Sequence, residues 1–296
     1  MGDGTGGRYD QATLRKLVET ERRRADRVAS VARRHETLME TAPESMRPFH
    51  RRMAALHRAT ESRHRAAAEL HAGYVDAVKS WAAGDGHAGL PPAFMTAVAE
   101  ASGIPSLAVT LFTKDESGTA VVVSDTVAAR ANDLEYLFGE GPSRGTPFQL
   151  GVCGERELMS RWPRFGPAAR ELGVRAVVSA RLGLPESPLG SLIAYRPEPE
   201  PDAAIARSAK VVADVLTDTA LHPGTRLDVE DGLPVHPLFG DSDLRVVVHQ
   251  ATGMVMNTHQ CTASDALALI RAHAYSLDES VVEVARMIVD RTTSLN

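Results

Sequence analysis

Apolar residues recur at steps of three and four over the first eighty positions. Leu14, Val18, Ala25, Val28, Ala32 and Met39 fall near one face of a stretch, 9–40, that contains neither Pro nor Gly. That spacing predicts a helix. Thr41-Ala42-Pro43 breaks it, and Met53, Leu56, Ala67, Leu70, Tyr74, Ala77 and Trp81 then mark a heptad-like seam from Pro48 to Trp81. A helix of that length extends about 50 Å. Neither helix buries its stripe alone. Residues 9–82 therefore read as a helical hairpin or coiled-coil arm, closed by its own partner helix or by a second subunit.

After the turn residues Ala83-Gly84-Asp85-Gly86-His87 the pattern changes. Pro92–Ala101 suits a helix. Leu107–Phe112 and Thr119–Ser124 are β-branched strands around the Lys114–Gly118 turn. Asn132–Gly139 reads as a short helix, Pro147–Leu150 and Glu155–Leu158 as short strands, and Pro167–Leu172 as a helix. Ala176–Leu182 and Ser191–Tyr195 read as strands around a turn at Gly183–Gly190, and Asp202–Leu221 as a long helix. Residues 88–222 thus form an α+β unit with an antiparallel sheet. Residues 223–243 are Pro- and Gly-rich and read as a linker. Residues 244–293 hold three helices, Leu244–Thr258, Ser264–Leu277 and Val281–Arg291. Thr262 with Asp265, and Ser280 with Glu283, have the spacing of N-terminal caps for the last two. The fold class is multidomain, α and α+β.

Charge is uneven along the chain. The net charge is −5, but residues 1–82 carry 16 Lys and Arg against 11 Asp and Glu, 83–243 carry 13 against 22, and 244–296 carry 4 against 5. Attraction to a polyanion would therefore come from the N-terminal segment. No apolar run reaches bilayer length and the N-terminus lacks a secretory pattern, so a cytoplasmic location without membrane contact is expected. Cys153 and Cys261 are too few for a disulfide framework or a Cys metal site. No Walker loop, His-Glu-x-x-His or Gly-x-Ser-x-Gly occurs, and no catalytic residue, metal ligand or cofactor is assigned; the chain does not read as an enzyme. His35, His50, His57, His64 and His71 are too widely spaced to converge on one ion within a single helix. They read as a stripe at or beside the helical seam. If it is buried in a dimer, protonation near about pH 6 loosens the interface.

The last helices carry a recognisable pattern. Gln250-Ala251-Thr252-Gly253-Met254-Val255-Met256, Asp265-Ala266, Ile270-Arg271 with Ala274, Val284-Ala285 and Ile288-Val289 resemble the ANTAR family in residue type and spacing. The resemblance implies a three-helix module that binds paired hexanucleotide-loop stems in nascent RNA and prevents a terminator from forming. Two stem-loops imply two modules, hence a homodimer. Leu134-Glu135-Tyr136, Gly139-Glu140-Gly141-Pro142, Trp162-Pro163-Arg164-Phe165 and Leu172-Gly173-Val174-Arg175-Ala176 resemble the GAF domains that precede ANTAR in many bacterial proteins. They imply a sensor for a small-molecule or protein signal. Thr41-Ala42-Pro43 and Met53–His57 resemble, more loosely, the helical extensions of the same group.

The RNA-binding candidates are Gln250, Thr252, Gly253, Arg271 and Tyr275. Arg can fork onto phosphate or guanine, and Tyr275, four residues on, can share its face. The plain alternative for Arg271 is an ion pair with Asp265 or Asp278. Gly253 allows close backbone approach, either of a packing helix or of RNA. Ala251, Ala266, Ala274 and Ala285 read as core where three helices meet. Trp162, Phe165 and Tyr136 are the sensor-pocket candidates, the first two being equally consistent with a packed turn. Ser143 stands where many relatives have Cys, which argues against a thiol sensor there. Thr252 and Glu279 replace residues that are often basic in the family, and Asp278 a common Asn. The competing reading is therefore a sensor or protein-interaction regulator whose ANTAR module has weakened or lost RNA binding.

Overall fold

In a computed structural model of the chain, the residues described are 11–83, 93–112, 118–144, 151–184, 186–219, 221, 236–239, 246–293 and 295. The expected strand Pro147–Leu150, residues 1–8 and all but a few residues of the 223–243 linker lie outside them. The chain divides into two compact units, Met1–Gly103 with Lys210–Gly240, and Ile104–Ala209 with Asp241–Asn296.

The first unit is built on α1, Gln11–Thr41, and α2, Arg47–Ala83. A 3-10 turn at Glu44–Met46, led by Pro43 at φ −53°, joins them. Proline's fixed φ and missing N–H end α1 where the sequence places the break. Ala25, Ala29, Ala32, Ala54, Ala67 and Ala68 are buried, so the backbones approach closely along the seam. Leu14 and Val18 meet Val75 at one end. Further along, Glu21 bonds His64 at 2.7 Å and Arg24 at 2.7 Å. Arg58 bridges Glu36 at 2.7 Å and Glu61 at 2.8 Å. The helices are antiparallel, and the histidine stripe lies between elements of one chain. His35 of α1 has its ring centroid 5.2 Å from that of His50 and 5.7 Å from that of His57.

Helix α3, Phe94–Ser102, also belongs to this unit, with Phe94, Met95, Ala97, Val98 and Ala99 buried. The alternating pattern of the sequence places it with the sheet instead, because a short apolar helix carries no mark of which surface it covers.

The second unit holds a five-stranded sheet of β1 Ser106–Phe112, β2 Gly118–Val123, β3 Gly151–Cys153, β4 Ala176–Leu184 and β5 Ser187–Arg196, in the order β2-β1-β5-β4-β3. Every pairing is antiparallel, with Val109 opposite Val122 and Leu192, and Ser179 opposite Ile193 and Gly151. Helices α4 Thr126–Phe138, α5 Glu155–Arg161 and α6 Phe165–Glu171 cover the sheet. Their shared core contains Leu158, Phe165, Ala169, Val177, Ile193 and Tyr195.

Glu155–Leu158, expected as a strand, is the start of α5. Glu155 and Glu157 sit in its first turn, where carboxylates favour the positive end of a helix, and only Leu158 turns inward. Asn132–Gly139 is the second half of a longer helix. The Asp125 carboxylate accepts from Ala128 N at 2.7 Å and starts α4 six residues earlier, at Thr126. The β4–β5 turn is tighter than Gly183–Gly190, as both strands run into it. Helix α7, Ala203–Thr219, follows, and its residues divide between the two units.

Three helices close the second unit: α8 Val246–His259, α9 Ala263–Leu277 and α10 Val281–Val289. Thr262 and Asp265 form the full capping box on α9, and the Ser280 hydroxyl accepts from Glu283 N on α10. Val248, Ala251, Val255, Ala266, Ile270, Ala274, Val284, Ala285 and Ile288 make one buried cluster, and Tyr136 of α4 joins it.

Candidate nucleic-acid interface

Helix α8 turns Val248, Ala251 and Val255 inward, at steps of three and four. The opposite side is thereby set outward, and Gln250, Gly253, Met256 and Asn257 are exposed. A Cβ built on Gly253 would meet no atom within 4 Å. Helix packing therefore does not account for this glycine, which leaves an open strip of backbone on the surface. Thr252 is half-buried, and its hydroxyl donates to the Val248 carbonyl at 2.7 Å, tying it to its own helix. Of the three α8 candidates, Gln250 and Gly253 are presented and Thr252 is engaged.

Helix α9 turns Ala266, Ile270 and Ala274 inward. Arg271, one step beyond Ile270, emerges at the margin against α4. Its guanidinium carbon lies 4.9 Å from the centroid of the Tyr136 ring, which Arg144 approaches at 4.7 Å. A Cβ on Gly139, at the left-handed end of α4, would sit 3.4 Å from Arg271 Nη1. Asp265, one of the acids that the sequence offers Arg271, is used in the capping box. Tyr275 is 68% exposed, with its ring edge-on to Phe138 at 6.1 Å between centroids. Arg271 and Tyr275 do share a face, as their spacing requires, and that face adjoins α4.

Both line a groove of about 1170 Å³ between α4, α6 and the α9–α10 corner. Its walls carry three guanidiniums, of Arg130, Arg164 and Arg271, and four carboxylates, of Asp133, Glu171, Asp278 and Glu279. That balance does not favour a polyanion. No residue of α8 lines it, so the sequence candidates divide between an open α8 face and an α9–α4 groove. Asn257, seven residues after Gln250, shares the α8 face; the helical period could have found it. Arg130, Arg144 and Arg164 reach the α9 region through the loop and helix arrangement of the sheet domain, which no local signal announces.

The loop after α4 is held by a buried carboxylate. Glu135 is fully buried and accepts from Ser143 N at 2.6 Å, Ser143 Oγ at 2.5 Å and Tyr195 Oη at 2.6 Å. Burial pushes the Glu135 carboxyl above the usual carboxylate range, while these donors and the Arg144 charge pull the other way. Gly141 has φ 145°, and a Cβ there would overlap the Glu135 side chain. Glu140 in turn accepts from Arg164 N at 2.5 Å and Phe165 N at 2.9 Å, capping α6. Gly-Glu-Gly-Pro-Ser is thus a structural clamp between α4 and α6. Trp162 and Phe165 pack in the sheet-domain core, Tyr136 packs under Arg271, and none of the three lines the groove. Burial, then the nearby Glu157, push the Cys153 thiol up to about 11.

A family model described as the ANTAR domain matches residues 241–289, which takes in all of α8, α9 and α10. This module is generally an RNA-binding antitermination regulator. No curated protein matches the chain. Among the described residues no helix is long and apolar enough to cross a membrane.

Proposed function

We propose that the protein is a signal-responsive RNA-binding regulator, acting by transcription antitermination on paired hexaloop stem-loops in nascent RNA. One observation carries this reading: the open face of α8, inside the ANTAR segment, where Gln250, Gly253 and Asn257 are exposed in register and Gly253 has no packing neighbour. A glycine inside a helix costs about 1 kcal/mol relative to alanine. Where no protein atom uses the space, close approach of another molecule's backbone is the function that justifies it. The Gln250 and Asn257 amides can bond base edges or phosphates, and the exposed Tyr275 ring can stack on an unpaired loop base.

Phosphate neutralisation contributes little here, because residues 244–296 carry 4 cations against 5 anions. Affinity then rests on base contacts and on two modules engaging two loops. That requires a homodimer, which the exposed Met46 of the 3-10 turn and the exposed Phe49 and Leu56 of α2 support. The sheet domain is read as a GAF-type sensor of a small-molecule or protein signal. The protein is read as cytoplasmic, non-enzymatic and free of cofactor.

The test is titration of the purified chain with an RNA bearing two hexaloop stems against one with a single stem. Tighter binding to the paired RNA than to the single stem supports the proposal; no binding to either removes it. A second reading has its own support. Arg271 is engaged by Tyr136 and carboxylates outnumber guanidiniums in the groove, which favours a module that works through protein contacts. That reading gains if the titration is blank while the folded chain is intact.

A further inference from the structure

Two histidines of the helical unit are buried together, and their hydrogen bonds fix where each ring carries its proton. His71 of α2 and His236 are both 2% exposed, with their Nε2 atoms 3.0 Å apart. His71 Nδ1 lies 2.6 Å from the carbonyl oxygen of Ala67. A carbonyl only accepts, so Nδ1 holds the His71 proton and Nε2 is a lone pair. At His236 the backbone N–H of Leu238 donates to Nδ1 at 3.1 Å. That nitrogen is therefore the lone pair, and Nε2 carries the proton that it donates to His71. Both rings are neutral, of opposite tautomer, and use both nitrogens.

The arrangement has no place for a further proton. Protonation of His71 at Nε2 sets two N–H groups head to head across 3.0 Å. Protonation of His236 at Nδ1 does the same against the Leu238 N–H. The surroundings give little compensation. From α3 the neighbour is Phe94, with ring centroids 5.6 Å from His71 and 5.1 Å from His236. Tyr74 of α2 is edge-on to Phe94. The 3-10 turn Pro237–Phe239 offers three buried residues that do not ionise. Glu21 of α1 is the carboxylate whose field reaches His71, and it is already bonded to His64 and Arg24. Asp218 of α7 faces Arg63 of α2 at 3.8 Å.

We propose that His71 and His236 form a proton-operated latch, which holds the 236–239 turn against α2 and α3 at neutral pH and releases it on acidification. Burial lowers the pKa of both rings, and the neighbouring His71 lowers that of His236 further. A free imidazole titrates near about 6.5. The released turn binds protons that the latched turn refuses, so the latch is intact above that pH and weakens as pH falls below it. The turn ends at Phe239, seven residues before α8 begins at Val246. The latch itself does not depend on whether RNA binds.

The test is hydrogen exchange on the full chain at pH 7.5 and 5.5, corrected for intrinsic rates, followed in peptides spanning 236–239. Protection there should fall about tenfold per histidine, and up to about a hundredfold for the pair. Protection in peptides of α1 and α2 should fall far less than in 236–239, which separates latch release from unfolding of the hairpin. The double variant H71Q/H236Q should show no such pH dependence. Independently of that variant, nitrogen NMR of the wild-type imidazoles at pH 7.5 should show one Nδ1–H and one Nε2–H tautomer. Equal protection at the two pH values, or two rings of the same tautomer, would overturn the proposal.

Discussion

The guanidinium of Arg271 lies 4.9 Å from the centre of the Tyr136 ring, so the strongest cation of α9 is held by a helix of the sheet domain. Arg144 approaches the same ring at 4.7 Å. Such contacts are worth about 0.5–2 kcal/mol. Replacing Tyr136 by Leu should therefore lower the stability of the second unit by about 1 kcal/mol. If Arg271 meets RNA, the same change frees it, and affinity for the paired hexaloop RNA should rise severalfold. Arg271→Ala should reduce the slope of log K against log salt by about 0.7, the contribution of one single-strand phosphate contact. Anisotropy titrations at several salt concentrations check both; an unchanged slope places Arg271 outside the RNA contact.

Glu135 is the other point where α4 anchors its surroundings. Glu135→Ala leaves Ser143 N, Ser143 Oγ and Tyr195 Oη without their buried acceptor. Each orphaned group costs about 1–3 kcal/mol, so the sheet domain should lose about 3 kcal/mol or more. Glu135→Gln, which keeps an acceptor oxygen, should lose less. Urea unfolding followed by Trp162 fluorescence in a Trp81→Phe background reads the difference; equal losses would deny the clamp its hydrogen-bond origin.

Where the chain's pattern is periodic, the sequence was a sufficient guide. The two long helices, the antiparallel strands and the capped helices at 262 and 280 are set by local spacing and local caps. What it did not reveal depends on contacts far apart in the chain. Glu155–Leu158 is too short for its period to decide between strand and helix, and the charged first turn prevails. Arg271 offers an ion pair to local acids, yet its partner ring lies 135 residues earlier in the chain. His71 pairs with a residue 165 positions later, which no helical stripe foretells. Gly253 could have served packing or RNA on sequence grounds, and the empty space around it removes helix packing within the chain.

Cys153 should be a poor sensor. Its thiol is pushed up to about 11 by burial, against an ordinary value of 9.0. Its thiolate at pH 7.5 is then roughly a hundredfold scarcer than that of an ordinary thiol, on the tenfold-per-unit scale of titration. Alkylation followed by mass spectrometry should find Cys153 modified about a hundredfold more slowly than a free cysteine; labelling at an ordinary rate would contradict this.

The tip of the helical hairpin should also respond to acid. Burial, and then the charges of His50, His57 and Arg34, lower the pKa of His35. A base whose folded pKa is depressed stabilises the fold above its free value, near about 6.5, and that stability is lost as pH falls through the window below it. The rings stack between α1 and α2 of one chain, so acid should lower the melting temperature of the hairpin. His35→Gln should reduce this pH dependence. A melting temperature unchanged from pH 7.5 to 5.5 would exclude it.

The open strip at Gly253 is where the proposed function and the stability of the fold part company. Alanine there meets no neighbour within 4 Å and removes the glycine penalty, so Gly253→Ala should stabilise α8 by up to about 1 kcal/mol. The same methyl group blocks close approach of RNA to the helix. Affinity for the two-stem hexaloop RNA, measured beside the melting temperature, should fall about tenfold, equivalent to about 1.4 kcal/mol, while the protein becomes more stable. Undiminished affinity in the stabilised variant would contradict the account.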